Sequence, residues 1–426
     1  MTKVPNSDLK KRILFTLFIL FIYRLGTFVP IPGVNSEVIK RFFTSESANM
    51  FGMINLFSGG ALERMSIFAL NIMPYITASI IMQLLTSMYK GLEALKKEGE
   101  YGRSKINQYT RYLTIILAVF QSLGVYYAMS GADNNVFISD SKMFMWTTCV
   151  SLVGGTVMLM WFGERITTSG IGNGISLIIF VGIISSIPAT FAQFMDLSRN
   201  GVYSWVFVVI FFMSFVLFIA VVAFVEKTHK RIKIQYPNST MMKMSGMNDS
   251  SFLPLKINIS GVIPPIFASS ILMFPSLIAQ FAGGKSSEII SSYMARGSVI
   301  YLISFALLIL FFSFFYSSII FNTNEVAENF KKSNCFILGI RPGPNTAGYL
   351  DKMISRLTFI GALYLIFVCI VPEILITRYS LPLHIGGTGV LIIVNVILDM
   401  INQIQSHMFS NKYNNFGKRR RLRVRS

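Results

Sequence analysis

Apolar residues in this chain gather into long runs. The first extends over residues 13–31, and others follow at approximately 66–89, 113–131, 146–163, 174–195, 202–225, 259–282, 299–321, 357–376 and 387–403. A helix needs about 20 mostly apolar residues to cross a bilayer, so the pattern predicts about ten spans. The ten-residue alternation of membrane barrels is absent, which leaves helices as the spanning element. One stretch departs from the pattern. Residues 52–65, GMINLFSGGALERM, are too short to span, carry Glu63 and Arg64, and contain Gly59–Gly60. Such a piece must lie at an interface, re-enter, or sit in a protein-lined cavity. It feeds directly into the second run, which Pro74 interrupts and which carries Asn71, Thr77, Ser79 and Gln83. A gated pathway needs an element of this kind, and an ordinary extramembrane helix before a slightly polar span accounts for it equally well.

Composition agrees with the runs. Of 426 residues, 53% are hydrophobic and 13% charged, with a mean hydropathy of +0.59. Soluble chains carry about 25% charged residues, so this is an integral membrane protein. The basic start before the first run suggests a signal peptide, but the run is too long for one and ends in VPIPGV instead of a small-residue cleavage site. It reads as a retained span.

The net charge of +19 acquires meaning from its placement. With the N-terminus cytoplasmic and the spans alternating, 29 of the 38 lysines and arginines fall on the cytoplasmic side, 8 on the other, and Arg24 inside the first run. That bias supports the span count and predicts two cytoplasmic termini. Three basic segments stand out on this side, 91–112, 226–258 and 322–356, and the last two exceed ordinary connections, as functional loops do. Basic residues interleaved with Gly, Pro and aromatics favour protein or RNA-rich partners there, whereas attraction to anionic lipid suffices for the tail KRRRLRVRS. Charges at membrane depth are few: Arg24, Asp399, and Glu373 near a span end. Ion-coupled transporters of small solutes line the midplane with several, so that class is the less favoured alternative; an insertase without an aqueous pore is another. Cys149, Cys335 and Cys369 show no metal or redox spacing and read as packing residues. No phosphate-loop, metal or nucleophile motif is present, and neither a cofactor nor an enzymatic activity is expected.

Six motifs follow in order: FVPIPGV (28–34), FSGGAL…SIFAL…IMPYI (57–76), KKEGE…GR…QYTRY (96–112), GIGNGIS (170–176), LPLKIN..GVIPPIFASS (253–270) and NFKKS…GIRPG..T..YLDK (329–352). Together they resemble the SecY family, the central subunits of bacterial Sec protein-translocation channels, over about residues 9–410. The resemblance implies an all-α integral membrane protein with about ten transmembrane helices in two inverted five-helix halves and a re-entrant plug helix. The N-terminal half would be residues 1–198 with the plug at about 52–65, the C-terminal half 199–403, and 404–426 a basic cytoplasmic tail.

The same resemblance implies site residues. The plug would include Phe57, Ser58, Gly59, Gly60, Ala61 and Leu62. A constriction ring would comprise Ile72, Ile76, Ile179, Ile266 and Ile392, with Ile72 and Ile76 on one helical face. A collar of isoleucines offers an ion nothing, so an empty constriction dewets and blocks leakage. A lateral gate would lie between the second and seventh spans, weakened by Pro74, Pro264, Pro265 and Pro275. Asn71, Thr77, Gln83, Asn258 and Ser270 belong to that gate, the last four as hydrogen-bonding groups across its seam. Lys230, Arg231 and Arg341 would dock cytoplasmic partners, namely the ribosome and the SecA motor ATPase. After the Lys230–Arg231 pair this chain has NSTMMKMSGMNDSS with only Lys243, where relatives carry further basic residues. SecE and SecG subunits, signal peptides, nascent polypeptides and membrane lipid complete the implied partners. The implied address is the bacterial inner membrane.

Overall fold

The structure is a computed structural model and describes residues 6–34, 58–130, 141–235, 251–282, 297–333, 335–379 and 386–423. Each apolar run contains a helix. Helix α1 is Asn6–Gly26, α2 Met73–Met88, α3 Lys90–Lys97, α4 Glu100–Ser130, α5 Ser141–Ser169, α6 Gly174–Arg199 and α7 Trp205–Lys227. Strands β1 (His229–Gln235) and β2 (Ser251–Lys256) precede α8 (Ile263–Ala282), α9 (Val299–Ile320) and α10 (Thr323–Lys332). Strand β3 (Phe336–Ile337), α11 (Pro344–Tyr379) and α12 (Gly387–Arg423) close the chain. Among the described residues, six helices are long and apolar enough to cross a membrane; α2 and α8 supply shorter apolar stretches.

Sequence composition decides which helices lie inside. Only 11% of the apolar window of α7 is buried, against 39% for those of α5 and α12. The α7 sequence is apolar on every face and has no reason to prefer protein over lipid. Helices α5 and α12 carry small and polar residues that let neighbours approach. The resulting core joins Tyr23 of α1, Phe162 and Ile166 of α5, Ile178 and Ile183 of α6, Ala268 of α8, Ile309 of α9, Leu365 of α11 and Leu391 of α12.

Two expectations fail at the second run. Pro74 does not interrupt a span, because α2 begins at Met73 and the proline falls in its first turn. A missing backbone N–H costs nothing there. Pro264 and Pro265 likewise sit in the first turn of α8, and only Pro275 lies inside it. The second run also starts as turns. Residues 61–72 fold back on the chain after α1, with Ile31 N–H donating to Met65 O at 2.9 Å and Ile67 N–H to Val29 O at 3.1 Å. Of the expected plug helix, Ser58 is helical and residues 59–65 are turns and a bend; residues 52–57, including Phe57, lie outside the described residues.

At one end of the bundle the two long loops form one unit. Strands β2-β1-β3 make an antiparallel sheet in which Ile232 pairs with Leu253 and Ile234 with Ile337. Ile232, Leu255 and Ile337 bury against Leu350, Ile354 and Leu357 of α11, so the sheet is anchored to a helix of the bundle. Residues 236–250, with the basic-poor stretch and Lys243, lie outside the described residues.

Candidate functional site

The five isoleucines of the expected ring fall in one apolar cluster. Ile72, Ile179 and Ile392 are buried in it, and Ile76 and Ile266 pack against it half-buried. Ile72 caps α2, and its carbonyl accepts from Ile76 N–H at 3.1 Å, which fixes the two on one face. The other three come from α6, α8 and α12.

The GIGNG turn does more than connect α5 to α6. Gly172 N–H donates to the Gln403 side-chain carbonyl of α12 at 2.7 Å, and Ile171 N–H donates to the Thr16 hydroxyl of α1 at 3.1 Å. Gly174 N–H donates to Thr167 Oγ1 at 2.9 Å, and Asn173 caps α6 by accepting from Ile175 N–H. Four helices are thereby tied at one turn, whose Gly172 has a left-handed φ of 89°. In the sequence GIGNGIS is one of six motifs, and nothing there marks Thr16 or Gln403 as its partners.

The segment after residue 57 is seated against α6. Ser58, Ala61 and Leu62 are fully buried. Gly59 has φ +63°, and a Cβ on it would overlap Ser185 Oγ and lie 2.7 Å from Gly182 O. From the other side, Arg24 Nη1 donates to Gly59 O at 3.2 Å. The Arg24 and Arg64 guanidinium groups lie over the Phe28 ring, at 4.9 and 4.3 Å from its centroid. Arg24 therefore contacts this segment and the end of its own helix.

Helices α2 and α8 meet in an apolar seam. Ile80 of α2, Phe267 of α8 and Phe312 of α9 form its buried centre, flanked by Ile76, Leu84 and Ile263. Phe267 stands edge-on to Phe312 with centroids 5.5 Å apart. The polar groups expected to bridge this seam turn elsewhere. Thr77 Oγ1 donates to Met73 O at 3.0 Å and Ser270 Oγ to Ile266 O at 2.8 Å, each within its own helix. Gln83 donates to Ser79 of the same helix. A helical hydroxyl has a carbonyl one turn back always within reach, whereas a partner helix must be placed correctly. Asn71 is buried in the turn before α2, with φ +51°.

Asn258 has a different partner altogether. Its amide donates to Glu226 Oε1 at 2.8 Å and to Gly261 O at 3.1 Å. Glu226 is buried in the last turn of α7, so the entry to α8 is tied to α7 by a charge-assisted bond. Sequence reading placed Glu226 in a solvated loop because it directly follows an apolar run. Glu373 of α11 is also buried, whereas Asp399 of α12 is exposed, and the expected tail continues as α12 to Arg423. Among the described residues no three His, Cys, Asp or Glu side chains gather as a metal site would require.

At the sheet end, Lys230 and Arg231 are exposed on opposite faces of β1. Strand alternation puts Arg231 on the face of Lys233, while Lys230 shares its face with buried Ile232 and Ile234. Arg341 is exposed, and its carbonyl accepts from Thr346 Oγ1 at 2.9 Å, which anchors its turn to α11. A groove of about 1310 Å³ opens between Thr86, Lys96 and Arg103 on one wall and Asn322, Asp351 and Ser355 on the other. The ends of α2 and α9 also line this groove. On its rim, Glu93 and Lys97 pair at 2.8 Å; the ammonium holds the carboxyl below its usual range.

Comparison with known proteins gives this arrangement a family. The SecY family model matches residues 66–401. The protein translocase subunit SecY of Rickettsia typhi is 47% identical over 427 residues, covering 99% of each chain. That of Escherichia coli K12 is 44% identical over 425 residues, covering 98% of this chain and 96% of its own. A solved protein-conducting channel superposes with a TM-score of 0.68 at 17% identity, covering 96% of this chain and 95% of its own. A SecY structure whose plug domain stabilises the closed state gives 0.66 at 18% identity, with the same coverage. Canine Sec61 in a ribosome–channel complex gives 0.64 at 16%, again with that coverage. This multi-pass membrane chain, with its shared apolar cluster and its seam of short helices, belongs to the SecY family of protein translocase subunits, which are channels and not enzymes.

Proposed function

We propose that this chain conducts unfolded secretory polypeptides between two five-helix halves, residues 1–198 and 199–403, through a ring of Ile72, Ile76, Ile179, Ile266 and Ile392. The observation that carries this reading is the shared apolar cluster of all five isoleucines, drawn from four helices, one of which, α6, also seats Gly59. An apolar constriction stays dry and closed to ions when empty, yet yields to a passing chain without binding it. Residues Phe57–Leu62 act as the plug. Helices α2 and α8 part as the lateral gate, where Asn71, Thr77, Gln83, Asn258 and Ser270 lie on or beside the moving elements.

Sorting follows from transfer energies. A segment of about ten leucine-like residues gains roughly 3–6 kcal/mol in the bilayer, and each lysine or aspartate costs about 2.5–3.5 kcal/mol. Apolar segments leave sideways into lipid and polar ones continue. No catalytic group is needed, so the driving force comes from partners. The sheet end faces the cytoplasm in this reading, with both termini on that side of a bacterial inner membrane. Arg231, Lys233 and Arg341 there present charge to the ribosome or to the SecA motor ATPase, and SecE and SecG accompany the channel. The likeness to Sec61 in a ribosome-bound complex supports the ribosome as one such partner.

Photocrosslinking from Ile76 tests the reading, with a radiolabelled precursor stalled halfway into membrane vesicles. Adducts that require the signal sequence and nucleotide are expected. Intact translocation without adducts from Ile76 or Ile392 would overturn the ring.

A further inference from the structure

We propose that Arg24 positions the plug and thereby sets how strong a signal sequence must be to open the channel; this rests on the plug reading above. Arg24 is the one charge inside the first apolar run, where an ionised group is costly and needs a function. Its guanidinium reaches across from α1 to the Gly59 carbonyl at 3.2 Å. The group is held from its own side as well. Thr27 Oγ1 lies 3.4 Å from Nη1 and donates back to Arg24 O at 2.7 Å, and the Phe28 ring underlies the guanidinium.

The acceptor is equally constrained. Gly59 is fitted against Gly182 and Ser185 of α6 with a left-handed backbone that a side chain would strain. The segment is thus gripped between the arginine and α6 through its backbone. Moving it outward breaks the bond and opens the guanidinium to pore water, which hydrates it. The latch therefore resists opening without forbidding it. A hydrogen bond from a charged donor biases such an equilibrium by roughly ten- to hundredfold.

The experiment uses the complete translocase in vesicles with four variants, Arg24→Met, Arg24→Lys, Gly59→Ala and deletion of 57–65. Ion leak is measured without precursor, and transport is compared for precursors with an intact or a shortened apolar signal. Arg24→Met is expected to raise the leak toward that of the deletion and to raise transport of the shortened-signal precursor relative to the intact one. Arg24→Lys, with a shorter reach to the carbonyl, should fall between parent and Met. A leaking deletion beside a sealed Arg24→Met overturns the latch and leaves the plug standing. Equal leaks from Met and Lys assign the effect to packing on Phe28 and overturn it too. A sealed deletion removes the plug itself. If Arg24→Met does not accumulate, parental sealing by both Arg24→Lys and Gly59→Ala overturns the proposal.

Discussion

Cutting Ile80 back to alanine tests whether the gate is held by packing. Ile80 is buried against Phe267 and Phe312 across the seam. In a soluble core such a truncation costs about 2–5 kcal/mol. Here the open gate exposes Ile80 to lipid instead of water, so the transfer component largely drops out. What remains is the void, at about 24 cal/mol per Å³; a cavity of roughly 40–80 Å³ gives about 1–2 kcal/mol. Opening should then become about 5- to 30-fold easier. Precursors with a graded series of apolar signals provide the assay. For weak signals, where opening limits transport, Ile80→Ala should raise the rate by that factor, and the gain should vanish for strong signals. Thr77→Val is the control, because its hydroxyl bonds Met73 O within α2. It should change the rate less than about twofold. A Thr77→Val effect matching that of Ile80→Ala, or no effect of Ile80→Ala, would refute an apolar seam.

Other expectations address separate parts of the molecule. Ile392→Asn should wet the collar and raise resting ion conductance, read in planar bilayers, since Ile392 is buried among the ring residues. Asn258→Leu leaves the buried Glu226 carboxylate without its 2.8 Å donor and should cost about 1.5–3 kcal/mol, seen as a lower thermal midpoint of the complex; Glu226→Gln, which keeps an acceptor, should cost less. Arg341→Glu should abolish motor-driven transport without lowering that midpoint, because the side chain is exposed and the turn is held through its carbonyl. Glu93 titrates below its usual range, so the α3 contribution of its pair with Lys97 persists above the ordinary carboxylate pKa and fades as pH falls through the depressed value. Amide exchange across Lys90–Lys97, expressed as protection relative to the unstructured peptide at each pH, reads that fading, and protection that stays constant until the carboxylate is fully protonated and beyond would contradict it.

The helices were legible because bilayer thickness imposes a length on any apolar run, and each run does contain a helix. The start of α2 was not, since Pro74 reads alike as an interruption or a first-turn residue until the cap is seen. Strand β1 carries a visible alternation, HKRIKIQ, yet its partners β2 and β3 lie too far along the chain for pairing to be read. The partners of the polar residues were not legible. Thr77 and Ser270 bond backbone one turn back, and Asn258 bonds Glu226, which directly follows an apolar run and opens the 226–258 segment. The ring isoleucines came from family resemblance, for nothing in an isoleucine separates a collar from a core.

The bond from Gly172 to Gln403 also bears on how the molecule is made. It joins residues 231 positions apart, so the turn between α5 and α6 is synthesised long before its acceptor exists. Until α12 is in place, that N–H lacks this acceptor, whereas the bonds to Thr16 and Thr167 can already join α1, α5 and α6. A chain that stalls before residue 403 should present a glycine-rich, solvated turn open to proteolysis, and a finished chain should hide it. Helix α12 thus acts as the closing stitch of a turn made 231 positions earlier.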